Sequence, residues 1–190
     1  MVYERFALLL EYPSSPLADL AAAAREECKD SHADAAAQLD LFAATAGAMP
    51  LAAQQELYAR TFDFDAEVAL YVGHQLFGEE GRRGLLIAGL VERYQRLGLN
   101  AGSELADHMS PVLRSLALDP DSEEAGELVR MALRPALGKV LPAIERRSAP
   151  FAAVLRALAS VIDERTGEAF EPEDEGCRRS SSPYFLTLLS

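Results

Sequence analysis

The residues of this sequence that could ligate a metal or act as a nucleophile are few. It contains three histidines and two cysteines, namely His32, His74, His108, Cys28 and Cys177. The cysteines form no Cys-x-x-Cys pattern, so neither a disulfide framework nor a zinc or iron–sulfur motif is predicted. Phosphate-binding loops of the Walker type, Gly-x-Gly-x-x-Gly and Gly-x-Ser-x-Gly motifs are also missing from the sequence. These patterns predict a protein that is not an enzyme and that binds no metal or cofactor of its own.

The adjacent pair Asp107-His108 is the one arrangement that suggests catalysis. Some metal-dependent phosphohydrolases use a neighbouring histidine and aspartate, but here the order is reversed and the further histidines have no counterparts. A metal-dependent helical hydrolase is therefore the weaker alternative, and a structural or binding role is favoured for both residues.

Charge and composition restrict the partners of the protein. The 190 residues include 30 acidic and 18 basic side chains, which gives a net charge of −12. Such a charge repels nucleic acid and anionic lipid, so a basic partner is expected. No apolar run approaches the length of a membrane span, and the first residues lack the features of a secretory signal, so we expect a cytoplasmic protein without membrane insertion.

The elements that must position these residues are helices. Apolar residues recur at helical spacing over most of the chain, no alternating strand pattern is present, and the sequence predicts an all-α, single-domain compact bundle. The predicted helices cover residues 3–11, 17–29, 33–46, 51–60, 66–77, 85–97, 121–134 and 151–162, with a further segment to residue 147 that Pro135 and Pro142 kink or divide. In the helix over residues 85–97, Leu85 belongs to the apolar stripe and Arg93 lies on the opposite, polar face. Asp121, followed three residues later by Glu124, is predicted to cap the helix that begins there.

The domain is expected to span residues 1–164. Residues 165–190 are acidic and serine-rich and are predicted to form a partly mobile C-terminal tail.

A block from Tyr58 to Gly98 mixes aromatic, charged and glycine residues, unlike the alanine-rich sequence before it. One interpretation is a core helix pair in which Phe62, Phe77 and Tyr94 pack together. The other is a groove for an amphipathic peptide helix, because such a helix needs apolar pockets rimmed by charges.

Four motifs in and after this block resemble the NarJ-type assembly chaperones within the broader TorD-like family. They are Tyr58-x-x-Thr61-Phe62-Asp63-Phe64, then Leu70-Tyr71 with His74 and Gly78, then Arg82-Arg83-Gly84 with Leu90, Tyr94 and Gly98, and finally Glu104-Leu105-Ala106-Asp107-His108. The motifs follow one another in the family's order and span about a quarter of the chain. The family commonly has proline where Ala106 stands, and a proline follows later at Pro111, with Ser110 expected to cap the next helix.

The resemblance implies a cytoplasmic, non-catalytic chaperone for respiratory nitrate reductase. Such a protein binds the N-terminal region of the apo catalytic (alpha) subunit and assists insertion of a molybdenum cofactor and iron–sulfur clusters before membrane docking. Two alternatives stay open besides the hydrolase. The client could be another molybdenum oxidoreductase with a twin-arginine leader, or the protein could be a structural adaptor without client specificity. A monomer and a homodimer are both compatible with the sequence.

The hypothetical client-binding residues come from these motifs. Apolar pockets are assigned to Tyr58, Phe62, Phe64, Leu70 and Tyr71, anionic contacts to Asp63, Glu104 and Asp107, and a pH-sensitive grip to His74 and His108. Arg82, Arg83 and Tyr94 complete the predicted site. Two structural alternatives remain: Asp63 or Asp65 caps the helix that follows, and the two arginines pair with Glu79 or Asp63.

Overall fold

The structure is a computed structural model that describes residues 2–46, 48–78, 81–102 and 104–167. In these residues the prediction of an all-α fold is confirmed, and no strand is present. The helices are α1 (Val2–Leu9), α2 (Leu17–Cys28), α3 (Ala33–Ala46), α4 (Leu51–Phe62), α5 (Val72–Phe77), α6 (Gly81–Leu97), α7 (Met109–Leu118), α8 (Glu123–Leu128), α9 (Arg134–Arg146) and α10 (Phe151–Thr166), with a 3-10 turn at Ala66–Val68 and a π-helical turn at Val129–Leu133.

Helix α10 lies in the centre of the bundle. It is apolar around most of its circumference and packs against α3 and α9, as expected of a buried helix. An aromatic cluster closes the core beside it: the ring of Phe151 lies 5.2 Å from that of Phe42 and 5.0 Å from that of Phe62. The ring of Tyr58 lies 5.0 Å from that of Phe62, so α4 is joined to α10 through this cluster.

Helices α1 and α7 pack against each other and run in opposite directions. Glu11, just after α1, contacts Ser110 and Arg114 in the first half of α7. At the other end, Tyr3 shares a cleft with Leu116 near the end of α7. Residues far apart in the sequence are therefore brought together at both ends of this pair.

The predicted helix over residues 66–77 is wrong in its first half. Asp65 caps only the short 3-10 turn, where its carboxylate accepts the N–H of Glu67 at 2.9 Å. The backbone is then extended from Ala69 to Tyr71, and α5 begins at Val72. Asp63 lies at the C-terminal end of α4, so it is not the N-cap that the sequence suggested.

The side of α6 predicted to face solvent also differs from the structure. Arg93, expected on the polar face, is 2% exposed, because its guanidinium donates to Glu124 Oε2 at 2.8 Å and to the Ser115 carbonyl at 3.2 Å. Leu85, predicted as part of the buried stripe, is half exposed. The helix ends before Gly98, which has the positive φ of 65° expected at such a stop.

Ser122, one residue after the predicted cap Asp121, caps α8 by accepting the N–H of Ala125. The helical path then continues through the π-helical turn into α9, whose first turn contains Pro135. Pro142 lies inside α9.

No helix in the described residues combines the length and the apolar character that a membrane crossing requires. The predicted tail over residues 165–190 lies outside the described part of the chain after Gly167, and so does Cys177.

Candidate functional site

The extended segment before α5 pairs with the turn before α7. The N–H of Val72 donates to the Asp107 carbonyl at 2.7 Å, and the N–H of Met109 donates to the Leu70 carbonyl at 2.8 Å. This single antiparallel bridge places Tyr71 opposite His108, and their rings meet edge to face at 5.2 Å between centroids. Two of the sequence motifs are thereby joined through their backbones.

An ion pair fastens the same turn to α6. Arg83 Nε lies 2.9 Å from Asp107 Oδ2, and the carboxyl group of Asp107 is fully buried. Gly73 makes room for this pair, because a Cβ atom there would lie 2.7 Å from Asp107 Oδ2 and 2.9 Å from Arg83 Cγ. The Arg83 guanidinium also lies over the Tyr71 ring, 5.6 Å from its centroid. Arg83 therefore pairs with Asp107, a partner that the sequence did not suggest. The suggested pairing with Asp63 is absent from the described residues, and the suggested pairing with Glu79 lies outside them.

His108 is the N-cap of α7, a position that the sequence assigned to Ser110. Its Nδ1 accepts the N–H of Ser110 at 3.1 Å, so the ring is neutral and Nε2 carries the hydrogen. Burial lowers the pKa of His108 below its usual value, although the nearby carboxylates of Glu104 and Glu11 act in the opposite direction. Ser110 instead donates its hydroxyl hydrogen to Glu11 Oε1 at 2.6 Å.

Three carboxylate residues around this bridge are each followed by an exposed apolar residue. The three pairs are Glu11-Tyr12, Asp63-Phe64 and Glu104-Leu105. The apolar members are 54%, 84% and 52% exposed, in that order. Large apolar side chains with this exposure, on three separate segments, are typical of a binding surface when they lie together.

The carboxylates do lie together. All three are close enough to the Tyr58 hydroxyl to add to the rise in its pKa, whose main cause is burial, and all three also act on the ring of His108. Glu104 accepts a hydrogen bond from the Tyr71 hydroxyl at 3.2 Å. We call the surface formed by Glu11, Tyr12, Asp63, Phe64, Tyr71, Glu104 and Leu105 the acidic–apolar face.

The three carboxylates differ in how far they are already neutralised. Glu11 forms an ion pair with Arg114 at 2.8 Å and accepts the Ser110 hydroxyl. Among the described residues, the Tyr71 hydroxyl is the one hydrogen-bond donor to the Glu104 carboxylate. Asp63 makes no ion pair with any described residue, so its full charge is available to a partner.

The remaining predicted site residues lie in or beside the core. Tyr58, Phe62, Leu70 and Tyr94 are buried. The Tyr58 hydroxyl donates to the Leu10 carbonyl at 3.0 Å, and the Tyr94 hydroxyl donates to the Ala106 carbonyl at 2.7 Å. These buried residues support the acidic–apolar face through packing and through hydrogen bonds to backbone carbonyls.

Arg82 and His74 lie at the edge of the site. The Arg82 guanidinium lies over the ring of Phe77, 5.2 Å from its centroid. His74 is partly buried in the last turn of α5.

Known proteins provide an independent comparison. The chain is 30% identical over 165 residues to the nitrate reductase molybdenum cofactor assembly chaperone NarJ from two strains of Escherichia coli. This similarity confirms the resemblance to the NarJ-type family. The aligned part covers 82% of this chain and 66% of the relatives, so the chain spans slightly less than two thirds of their length. No protein-family model matches the chain.

The motifs that resemble the NarJ-type family mostly build the support of the face. Glu11 and Tyr12 lie outside them and were missed in the sequence, although the repeated pattern of a carboxylate followed by a large apolar residue was a signal that could have found them. Gly73 was also missed, because its role depends on the approach of Asp107 in space.

Metal-ligating side chains do not cluster in groups of three or more in the part of the chain that the structure describes. Cys28 and His32 have the i, i+4 spacing of a helical metal site. The structure places Cys28 fully buried at the end of α2, and burial raises the pKa of its thiol to about 11. His32 pairs with Glu164 on α10.

Proposed function

We propose that this chain is a cytoplasmic chaperone in the assembly of a respiratory nitrate reductase. In this proposal it binds the N-terminal region of the apo catalytic subunit and assists insertion of the molybdenum cofactor and iron–sulfur clusters before the subunit docks at the membrane. The similarity to proteins named as nitrate reductase molybdenum cofactor assembly chaperones supports this role.

The single observation that carries the binding mode is the acidic–apolar face. Tyr12, Phe64 and Leu105 offer separate apolar contacts, and a carboxylate stands immediately before each of them in the sequence. An amphipathic helix with basic residues beside its apolar stripe matches both features. The client segment is therefore a basic amphipathic peptide.

The two kinds of contact have different effects on binding. Burial of apolar side chains gives most of the affinity, whereas the carboxylates and the net charge of −12 speed the approach of a basic peptide. A chaperone must release its client, so a dissociation constant in the micromolar to nanomolar range, about −8 to −12 kcal/mol, suits the cycle.

Calorimetric titration with a synthetic peptide tests the proposal. The peptide is the N-terminal segment of the nitrate reductase catalytic subunit from the same organism, and the titration is run at two salt concentrations and two temperatures. We expect one-to-one binding with a negative heat-capacity change, and weaker binding at the higher salt concentration. Absence of binding to the folded protein would contradict the proposed client segment.

Two substitutions localise the binding. Asp63→Asn removes a charge without removing a helix cap, so it should weaken binding and reduce its salt dependence; Asp30→Asn, in the exposed turn between α2 and α3, is the control.

Phe64→Ala should weaken binding about tenfold without loss of stability, because Phe64 is 84% exposed. Leu41→Ala, on the exposed side of α3, is its control. Equal effects of the site and control variants would place the peptide elsewhere.

The alternative client, another molybdenum oxidoreductase, is tested in parallel. A peptide with a twin-arginine leader is titrated under the same conditions. Tighter binding of this leader than of the nitrate reductase peptide would assign the chain to a different client.

A further inference from the structure

A second site lies at the opposite end of the α1–α7 pair from the acidic–apolar face. It is a cleft of about 170 Å³ between the start of α1, the end of α7, the α8 region and the end of α10. Its lining residues are Tyr3, Leu116, Pro120, Ala125, Gly126, Val129, Arg130, Arg165 and Thr166. The π-helical turn forms part of its wall, and such turns are frequent at functional sites.

Arg130 provides an available positive charge in this cleft. It is exposed and forms no ion pair with any described residue, although the protein is strongly acidic. Its guanidinium lies along Gly126, where a Cβ atom would be only 3.1 Å from Arg130 Nη1. The absence of a side chain at Gly126 therefore lets the guanidinium lie within the cleft.

Arg165 and Tyr3 form the facing wall. The Arg165 guanidinium lies 5.7 Å from the centroid of the Tyr3 ring and donates to the Pro120 carbonyl and to Asp121 Oδ1. The Tyr3 hydroxyl is buried, and Arg165 acts on it: the guanidinium lowers the pKa of the tyrosine, while burial, the larger effect, raises it. The ring and hydroxyl of Tyr3 therefore position Arg165 at the wall of the cleft.

We propose that this cleft binds the phosphate group of a small organic phosphate ester. Two guanidinium groups suit a phosphate, because arginine donates to its oxygens in a fork geometry. Leu116, Ala125 and Val129 provide an apolar wall for the organic part of the ligand. The volume of the cleft admits a small ester and not an extended polymer.

Asp121 competes with the ligand for Arg165. Its carboxylate is 93% exposed and lies 2.8 Å from the guanidinium. Removal of this charge should free Arg165 and remove a repulsive carboxylate, so Asp121→Asn should bind the ester more tightly. A gain in affinity cannot arise from partial unfolding, which makes this variant a sharp test.

The experiment uses the full chain and phenyl phosphate, with benzyl alcohol as the uncharged comparison. Nitrogen-detected NMR of the arginine Nε–H groups follows the titration. We expect saturable shifts at Arg130 and Arg165 with phenyl phosphate and none with benzyl alcohol. Arg130→Gln should weaken binding about tenfold, Tyr3→Phe should weaken it about threefold, and Asp121→Asn should strengthen it.

The control variant is Arg60→Gln, which removes another exposed arginine that forms no ion pair with a described residue and lies on α4, outside the cleft. It should leave the titration unchanged. Equal weakening by Arg60→Gln and Arg130→Gln would show non-specific attraction of anions and would overturn the proposal. Binding of benzyl alcohol as tight as that of phenyl phosphate would overturn it too.

Discussion

At the scale of single residues, Gly73 decides whether Arg83 and Asp107 can pair. A methyl group at this position would overlap the Asp107 carboxylate and the stem of Arg83, and the ion pair is buried on the Asp107 side. We expect Gly73→Ala to lower the free energy of unfolding by about 2–3 kcal/mol, because a buried pair must shift to admit the new group. Urea unfolding followed by circular dichroism measures the change.

Gly84→Ala is the matched control for this prediction. Gly84 lies in α6, and nothing approaches the place where its Cβ would stand. Because alanine favours a helix over glycine, this variant should gain about 0.5–1 kcal/mol. A loss of stability in both variants would show that the helices, and not the ion pair, are sensitive to the change.

His108 makes stability depend on pH. Its pKa is lowered in the folded protein, so below about pH 6.5 the unfolded chain binds a proton that the folded chain does not. Stability is therefore complete above that pH and is lost as the pH falls toward the folded pKa. Protonation also removes the acceptor that caps α7.

His108→Asn isolates this contribution, since asparagine also caps helices and does not titrate. We expect the loss of unfolding free energy between pH 7.5 and pH 5.5 to be smaller in the variant than in the wild type. Urea unfolding at several pH values measures both slopes. Identical slopes would mean that His108 does not titrate in this range.

At the scale of elements, helical periodicity predicts most of the fold. The bounds of α3 agree with the prediction, and α2 and α10 agree to within a few residues, because alanine and leucine patterns with nearby Pro or Gly mark their ends. The prediction fails at residues 66–71, where a 3-10 turn is followed by an extended segment whose end pairs with residues 107–109. It also fails at Arg93, whose burial depends on Ser115 and Glu124 from other elements. Sequence patterns indicate local conformational preferences, but they do not show which residues from distant parts of the chain will be in contact.

Gln54 shows how one side chain joins three elements. It is fully buried, accepts the N–H of Leu17 at 2.9 Å, and donates to the carbonyls of Ala46 and Met49. Gln54→Met keeps the volume but leaves these backbone groups unpaired, so we expect a loss of about 3 kcal/mol. Gln55→Met is the control: it removes one hydrogen bond to Pro13 and should cost about 1 kcal/mol. Urea unfolding measures both changes.

At the scale of the whole molecule, the charge of −12 should speed the approach of the basic client proposed above. We expect the association rate constant of the nitrate reductase peptide to fall about tenfold between roughly 20 mM and 0.5 M salt, with little change in the dissociation rate constant. Stopped-flow fluorescence with a labelled peptide measures both. A peptide whose Lys and Arg residues are replaced by Gln should show no salt dependence of association; equal dependence for both peptides would contradict electrostatic steering.

The motifs that resemble the family contain more of the residues that support the acidic–apolar face than of the residues that form its surface. Tyr58, Phe62, Tyr94 and Asp107 belong to these motifs, and all four are buried beneath the face. The contact surface consists of exposed side chains such as Tyr12, which no packing rule fixes. Their convergence depends on the tertiary structure.

The crowding at Gly73 also constrains how this chain can change over generations. An alanine at position 73 costs less stability once Arg83 and Asp107 have been replaced by smaller side chains. Loss of Arg83 alone would leave a buried carboxylate without its counter-charge, so that first step is itself costly. The three positions therefore form an epistatic set, in which the effect of each replacement depends on the order in which the replacements occur.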